Sequence, residues 1–392
     1  MTDAWNLSGR IAIAGIGETA VGKLPGRTPM DLAVEAGRLA LADAGLETAD
    51  VDGLVTCNAM AQTYMYPAEA LAEYLGIQPA FCLGLHTGGA TALSVLRHAG
   101  NAILSGACST VLVTLGDSLR TGLTREAAKV MQSSASHPEF ETPYGPTAPA
   151  LYALAARAHM AAHGTRPEHL AAVAVSARAH AARHPHAEKR EPITVDDVLA
   201  SRMIADPLHL LDCSLVSDGG AAVVLTRAER ARDLAAPPVY LLGIGEATRH
   251  EHISQAADIT ATAARDSGRR AFAMAGLAPA DVNVAGIYDC FTPVVLMLLE
   301  DLGLCPAGGA GEFVAGGGTA PGGALPVNTH GGLLSHSHAG HPGSMFHLTE
   351  MVQQLRGAAG ERQVAGARIA LVHAMGGTLS SHATALLGRE AP

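Results

Sequence analysis

The sequence predicts an α/β protein built from two similar halves, and three observations predict it. The chain repeats itself: Gly15-Ile16-Gly17-Glu18 returns as Gly243-Ile244-Gly245-Glu246, and Ala44-Gly45-Leu46 with Ala49-Asp50-Val51 returns as Ala275-Gly276-Leu277 with Ala280-Asp281-Val282. The two offsets, 228 and 231 residues, are nearly equal, and such a period is far too long for a solenoid. Each copy runs in the same order: an apolar strand, a Gly-Ile-Gly-Glu turn, a helix, then the AGLxxADV stretch and a second strand. The composition agrees, with 48% hydrophobic residues, 44 glycines and only 4% aromatics. That mixture favours close packing of helices on sheets over an all-β sandwich.

The elements follow in order. Residues 10–15 form a short apolar strand. Thr28 and Asp31 open an amphipathic helix that runs to about Ala44, where Gly45 occupies the usual C-terminal cap. Residues 53–57 form a second strand and 67–75 a helix. Residues 90–104 are rich in Ala and Leu and form a buried helix, and 111–115 is an unbroken apolar strand of the kind found inside a sheet. From about 117 to 212 the texture changes to Thr-, Pro- and His-rich loops with helices near 148–163 and 166–183. The second half has no insert of this size, and such an elaboration covers a site or mediates assembly. Residues 221–226 close the first half as a strand, and Ala236-Pro237-Pro238 marks the junction. This divides the chain into 1–235 and 236–392. The second half then reads as a strand at 239–243, a helix at 261–274, a strand at 284–288, a helix at 292–302 and a Gly/His/Pro-rich loop at 306–343. A helix at 344–356 and strands at 369–373 and 382–387 complete it.

Several functions are excluded. The net charge of −10 opposes general nucleic-acid binding, which needs a basic face. Six scattered cysteines without a CxxC pair read as reduced thiols. The first residues lack the layout of a signal peptide, and no apolar run reaches the length of a membrane span. A soluble, cytoplasmic protein is expected.

Three stretches carry chemistry. Tyr288-Asp289-Cys290-Phe291 follows a strand of the second half, and side chains at the carboxyl ends of such strands face the ligand crevice. Tyr288 is then an acid/base or oxyanion donor; the alternative is a tyrosine whose hydroxyl satisfies a buried neighbour. The second stretch runs from Asn328 to Gly343 and is rich in Gly and His, with five histidines between 330 and 347. Glycines let backbone approach a ligand, and histidines titrate near neutrality. His336 and His338 are spaced to chelate a metal, but no acid or cysteine in the stretch completes a shell, so no metal is expected. The third is His373-Ala374-Met375-Gly376-Gly377, where glycines after a strand expose N–H groups to an oxyanion or simply make a tight turn. The duplicated Gly-Ile-Gly-Glu is a weak dinucleotide signal, with Ala at position 20, and reads as a structural turn.

Together with Asp-Cys-Ser-Leu-Val-Ser-Asp-Gly-Gly-Ala-Ala at 212–222, these stretches resemble the thiolase superfamily, in particular the sterol-carrier-protein-type thiolases, over essentially the whole chain. The resemblance implies a five-layered α/β/α/β/α arrangement of two halves with a loop-domain insert in the first. It implies acyl-CoA thioester substrates, with coenzyme A entering as part of the substrate and no bound cofactor. It also implies a homodimer or larger assembly and, by analogy with relatives, a small partner with a β-barrel and a zinc ribbon. Counting back from Glu350 and Gln354-Leu355-Arg356-Gly357 places His338 on the family's catalytic histidine, with His341 as the rival.

One departure matters most. Thiolases attack with a cysteine at the start of the buried helix, where the helix dipole stabilises a thiolate. Here that place reads His86-Thr87-Gly88-Gly89-Ala90, so the aligned residue is Gly89 or Ala90. The family's second cysteine falls near His373. Without a nucleophile no acyl-enzyme forms. Steroid side-chain aldolases of this superfamily also lack that cysteine and resemble this chain in their Tyr at the Tyr288 position, though a second Tyr replaces His338. The resemblance therefore implies a retro-aldol cleavage. In it Tyr288 takes a β-hydroxyl proton, and His338 holds the thioester oxygen or protonates the enolate carbon. N–H groups near Gly376 and Gly377 complete the oxyanion site. Tyrosine needs help to act as a base, which His86, His338 or His373 could supply. The rivals are an acyltransferase that recruits Cys82 or Cys290, and a non-catalytic CoA-binding scaffold. Arg178, Lys189 and Arg190 are the candidates for CoA phosphates.

Overall fold

The computed structural model describes residues 6–392, the side chains of residues 129 and 131–134 apart. The first half contributes β1 (Ile11–Glu18), α1 (Pro29–Ala44), β2 (Gly53–Thr56), α2 (Pro67–Leu75), β3 (Phe81–Gly84), α3 (Thr91–Ser105) and β4 (Thr110–Ser118). Between β4 and the closing strand lie α4 (Arg125–Ser134), α5 (Ala148–His163), α6 (Pro167–Ala181), α7 (Val195–Ala200) and the small hairpin of β5 (Met203–Ala205) and β6 (Leu208–His209). β7 (Asp218–Arg227) and α8 (Ala228–Ala231) end the half. The second half comprises β8 (Val239–Thr248), α9 (Ala264–Ala275), β9 (Val284–Ile287), α10 (Thr292–Asp301), α11 (Ala310–Ala315), α12 (Gly332–Ser335), α13 (Pro342–Arg356), β10 (Ile369–Gly376) and β11 (Ser381–Gly388).

The strands run in the order β3-β2-β4-β7-β1-β8-β11-β10-β9. The two halves meet edge to edge, β1 against β8, through Ala12 opposite Tyr240 and Ile13 opposite Val239. One core cluster joins α3 and α13 to inward residues of both halves, among them Val113, Val223, Val372 and Ala385. The outer faces pack on α1 and α2 in one half and on α9 and α10 in the other. The result is five layers, helix, sheet, helix, sheet, helix, as the repeat and the resemblance imply.

The repeat has a physical cause that differs from the expected turn. Both Gly-Ile-Gly-Glu copies lie within strands, β1 and β8. A Cβ on Gly15 or Gly17 would overlap the Ala40 or Ala36 carbonyl of α1, and on Gly243 or Gly245 the Ala271 or Ser267 carbonyl of α9. The glycines let each helix lie directly on its strand. The second repeat is a cap: Gly45 and Gly276 end α1 and α9 in the left-handed region, at φ 70° and 66°. The carboxylates of Asp50 and Asp281 then accept from the N–H of Glu47 and Ala278. Thr28 and Asp31 form the expected capping box of α1. β3, α4, α7, β5, β6, α8, α11 and α12 are not expected from the sequence, all but α4 being six residues or shorter, and several strands run past their expected ends.

Candidate active site

The site is built where β9 and β10 end and the first turn of α3 begins. Asn328, held at φ 56°, clamps the end of β9 by accepting from the Ile287 N–H at 2.7 Å and donating to the Ile287 carbonyl at 2.8 Å. The Tyr288 N–H donates to the His373 carbonyl at 3.0 Å, which fixes the chain as it leaves the sheet. Asp289 is fully buried and accepts from the N–H of Leu333 at 2.8 Å, with the Leu334 N–H at 3.4 Å. It pins the Gly/His-rich loop beneath Tyr288. Its other neighbour is His347, whose Nε2 lies 3.4 Å from Oδ1.

Three side chains form a line. His338 Nδ1 lies 2.9 Å from Ser214 Oγ, and its Nε2 lies 3.5 Å from the Tyr288 hydroxyl. The Ser214 N–H donates to the Cys290 carbonyl at 2.9 Å, so the Tyr288-Asp289-Cys290 segment also positions the serine. With Nδ1–H given to Ser214, the Nε2 lone pair faces the phenol, an assignment made from the partners present. The 3.5 Å contact lies at the long limit of a hydrogen bond.

The other end of the Tyr288 hydroxyl meets Gly89. A Cβ built on Gly89 would stand 2.7 Å from that oxygen and 2.8 Å from the ring, and would overlap the Met375 carbonyl. The loop of residues 87–88 presses backbone to backbone on Gly376, where a Cβ would overlap the Thr87 carbonyl. So the tyrosine fills the space that a side chain at position 89 would need. A side chain there would meet the Met375 carbonyl first and the tyrosine next.

Burial decides the protonation states. It holds the Tyr288 phenol well above its ordinary pKa, with Cys290 and Asp289 adding to the effect. It pulls His338 down to about 4, against the opposing pull of Asp289. At neutral pH the pair is therefore a protonated phenol facing a neutral imidazole. The cysteines are equally clear. Burial raises Cys290 far above the thiol range and raises Cys82 as well. Neither is a thiolate, and Cys82 lies in β3 on the edge of the sheet.

Of the remaining sequence candidates, His373 is displaced from the group. Its Nδ1 meets Thr384 at 2.8 Å and its Nε2 meets His382 at 3.0 Å, because the β10–β11 pairing puts His373 opposite Thr384. Its carbonyl serves the site and its ring does not. His86 is exposed and packs edge-on against His341 at 4.5 Å. His341 is buried at the start of α13, with its pKa pulled down to about 3 by burial. His336 and His338 diverge, since the His336 ring packs on His184, His330 and Phe346. Gly376 ends β10, and the Gly377 carbonyl accepts from the Tyr152 hydroxyl at 2.8 Å. Arg178 is buried, donating to Ser335 and to the Glu191 carbonyl. It fastens the insert to the histidine loop and is not exposed for phosphates, whereas Lys189 and Arg190 are exposed.

Sequence reasoning missed Ser214, Tyr152 and the pinning role of Asp289. Tyr152 stacks on Phe291 at 4.5 Å and comes from the insert, 139 residues earlier in sequence. Nothing local marks it. Ser214 and Asp289 lay inside quoted motifs, and only their contacts reveal their tasks.

The buried histidines carry a pH prediction. Burial lowers His180 and His338 to about 4, and His184, His341 and His382 to about 3, from an ordinary 6.5. As pH falls below 6.5 the unfolded chain binds protons at these sites and the folded chain does not, so stability is lost down to the folded values. Each group contributes up to about 1.4 kcal/mol per pH unit in that window. Glu18, raised to about 7, and Asp117, raised to about 6, act in the opposite direction but are fewer. Urea midpoints measured from about pH 8 to about pH 5 should drop steeply below 6.5; a flat profile would contradict the buried neutral state.

Comparison with known proteins shows the family. Residues 11–229 match the family model for the thiolase N-terminal domain, and residues 245–389 match that for a thiolase C-terminal domain-like unit. The 17-hydroxy-3-oxo-4-pregnene-20-carboxyl-CoA lyase of Mycobacterium tuberculosis is 37% identical over 96% of this chain and 98% of that one. The acetyl-CoA acetyltransferase of Methanothermobacter thermautotrophicus is 35% identical over 97% and 99%. The solved Ltp2-ChsH2(DUF35) aldolase superposes with a TM-score of 0.87 at 36% identity, covering 97% of this chain and 98% of that one.

Proposed function

The chain belongs to the thiolase family, and from that premise we propose that it cleaves, or in reverse forms, a carbon–carbon bond of an acyl-CoA thioester by a retro-aldol reaction without an acyl-enzyme. The observation that carries this reading is the occupation of the Gly89 side-chain space by the Tyr288 hydroxyl. A family that attacks with sulfur at that place has here a proton-transferring group instead.

A β-hydroxyacyl thioester brings two needs: a base for its hydroxyl and a resting place for the enolate. As the hydroxyl gives up its proton, the β-carbon becomes a carbonyl and the Cα–Cβ pair moves onto the thioester as an enolate. Tyr288 is a protonated phenol in the resting enzyme, so it takes that proton only as it passes its own to His338 Nε2. Ser214 keeps the imidazole turned for the transfer. The imidazolium then returns the proton to the enolate carbon, which releases a shortened acyl thioester and a ketone or aldehyde. Backbone N–H groups beside Gly376 and Gly377 would hold the thioester oxygen. Exposed Lys189 and Arg190 remain the candidates for the CoA phosphates.

The test is a panel of β-hydroxyacyl- and β-ketoacyl-CoAs, with and without free CoA, followed by mass spectrometry. Steroid side-chain thioesters come first, because the Mycobacterium tuberculosis relative carries a pregnene carboxyl-CoA in its name. Cleavage without added CoA supports the lyase, and strict dependence on CoA would overturn it. An acyltransferase that uses Cys290 predicts protection by acyl-CoA against thiol alkylation and loss of activity once alkylated. For the lyase, iodoacetamide should leave turnover unchanged within about twofold, as the neutral buried thiols react slowly.

A partner belongs to the same proposal. The aldolase that superposes on this chain was solved with a DUF35 protein, which supports a separate partner subunit. The panel should be run with and without such a subunit. A homodimer belongs to the same proposal and is tested by light scattering.

A further inference from the structure

One cluster of metal-ligating side chains lies apart from Tyr288 and His338. His159 and His163 stand one turn apart at the end of α5, and Glu300 stands near the end of α10. One ligand atom from each lies within 4.8 Å of the other two, and this is the one such group among the described residues. We propose that His159, His163 and Glu300 bind a divalent transition-metal ion, zinc being the ion their chemistry suits best.

The distances fit a shared ion. His159 Nε2 lies 3.3 Å from Glu300 Oε2, longer than the roughly 2.8 Å of a good charge-assisted hydrogen bond. Two ligand atoms each about 2.0–2.1 Å from a tetrahedral ion stand about 3.3 Å apart. His159 Nδ1 is 2.9 Å from Thr165 Oγ1. That partner fixes the ring and leaves Nε2 as the ligand, the usual arrangement for a metal-bound histidine. The ring of His163 is 4.7 Å from that of His159, centre to centre, and it is exposed, so a side-chain rotation closes the set and offers an entry route. Glu300 is steadied through its other oxygen by the Ala310 N–H at 3.2 Å. Two imidazoles and a carboxylate leave a fourth position for water.

The position gives the ion a task. α5 also carries Tyr152, whose hydroxyl reaches the Gly377 carbonyl, and α10 begins beside Phe291, on which Tyr152 stacks. An ion between the far ends of the two helices would staple the insert to the second half along one wall of the site.

Untagged full-length protein, stripped with EDTA and exchanged into buffer, is titrated with ZnCl2 by calorimetry and with CoCl2 by visible absorption. One equivalent of zinc, a tetrahedral cobalt spectrum and a raised melting temperature are expected at neutral pH. Affinity should weaken as pH falls, because the imidazoles must be neutral to bind. His163→Ala removes an exposed ligand and should lower the zinc affinity at least about tenfold with unchanged circular dichroism. Glu300→Gln, which keeps shape and loses charge, should do the same. Absence of one-equivalent binding by the wild type, or equal binding by wild type and His163→Ala, overturns the proposal. Neither readout depends on catalysis.

Discussion

Tyr288→Phe is expected to lower the rate of carbon–carbon cleavage about a thousandfold, the middle of the range for losing a positioned acid/base group. The substitution keeps the ring that packs under the sheet and removes one oxygen, so unfolding midpoints should shift little. That oxygen lies against Gly89 and the Nε2 of His338. KM should change far less than kcat, since the hydroxyl acts as the proton moves. The pH profile gives a second readout. His338 must be neutral to accept, and with a pKa near 4 it stays neutral well below the point where an ordinary histidine charges. Activity should therefore remain flat on the acid side until unfolding intervenes, with no inflection near 6.5. A variant that turns over at the wild-type rate would remove Tyr288 from the chemistry.

Gly332→Ala carries the largest expected loss of stability, about 3–5 kcal/mol, with loss of activity as a consequence. Gly332 sits at φ 63° and is buried against Asp289, whose carboxylate a new Cβ would overlap. The backbone cost of a left-handed alanine is about 1–2 kcal/mol. The remainder comes from moving a buried carboxylate off the Leu333 and Leu334 N–H groups. Gly317 supplies the control, with φ 81° and open space around its missing Cβ. Gly317→Ala should cost only the backbone share. Equal urea midpoints for the two variants would mean that Asp289 does not pin the histidine loop.

How much of this could be read in advance depends on the range of the interactions involved. The caps of α1 and α9 were legible because Thr28, Asp31, Gly45 and Gly276 act within four residues of the groups they satisfy. The paired glycines at 15, 17, 243 and 245 were visible as a repeat, yet their reading as a turn was wrong. Glycine is allowed in strands as in turns, and only the helix carbonyl above each one shows why it is there. Tyr288 and His338 were legible as candidates through resemblance and through their place after a strand. The distance between them was not, since it depends on Asn328 and Asp289 holding two segments 50 residues apart. Arg178 and His373 failed for the same reason: their partners, Ser335 for one and Thr384 with His382 for the other, are chosen by packing.

The amino-acid order by itself determined the doubling of the fold, the caps of α1 and α9 and the lack of a cysteine at residue 89. These rest on local backbone preference and on periodicity, which neighbouring residues carry. The tertiary structure alone decided that the phenol of Tyr288 takes the space left at Gly89, that Ser214 turns His338 toward it, and that burial leaves one protonated and the other neutral. Electrostatics and excluded volume act through space, and no stretch of chain encodes what will be folded against it.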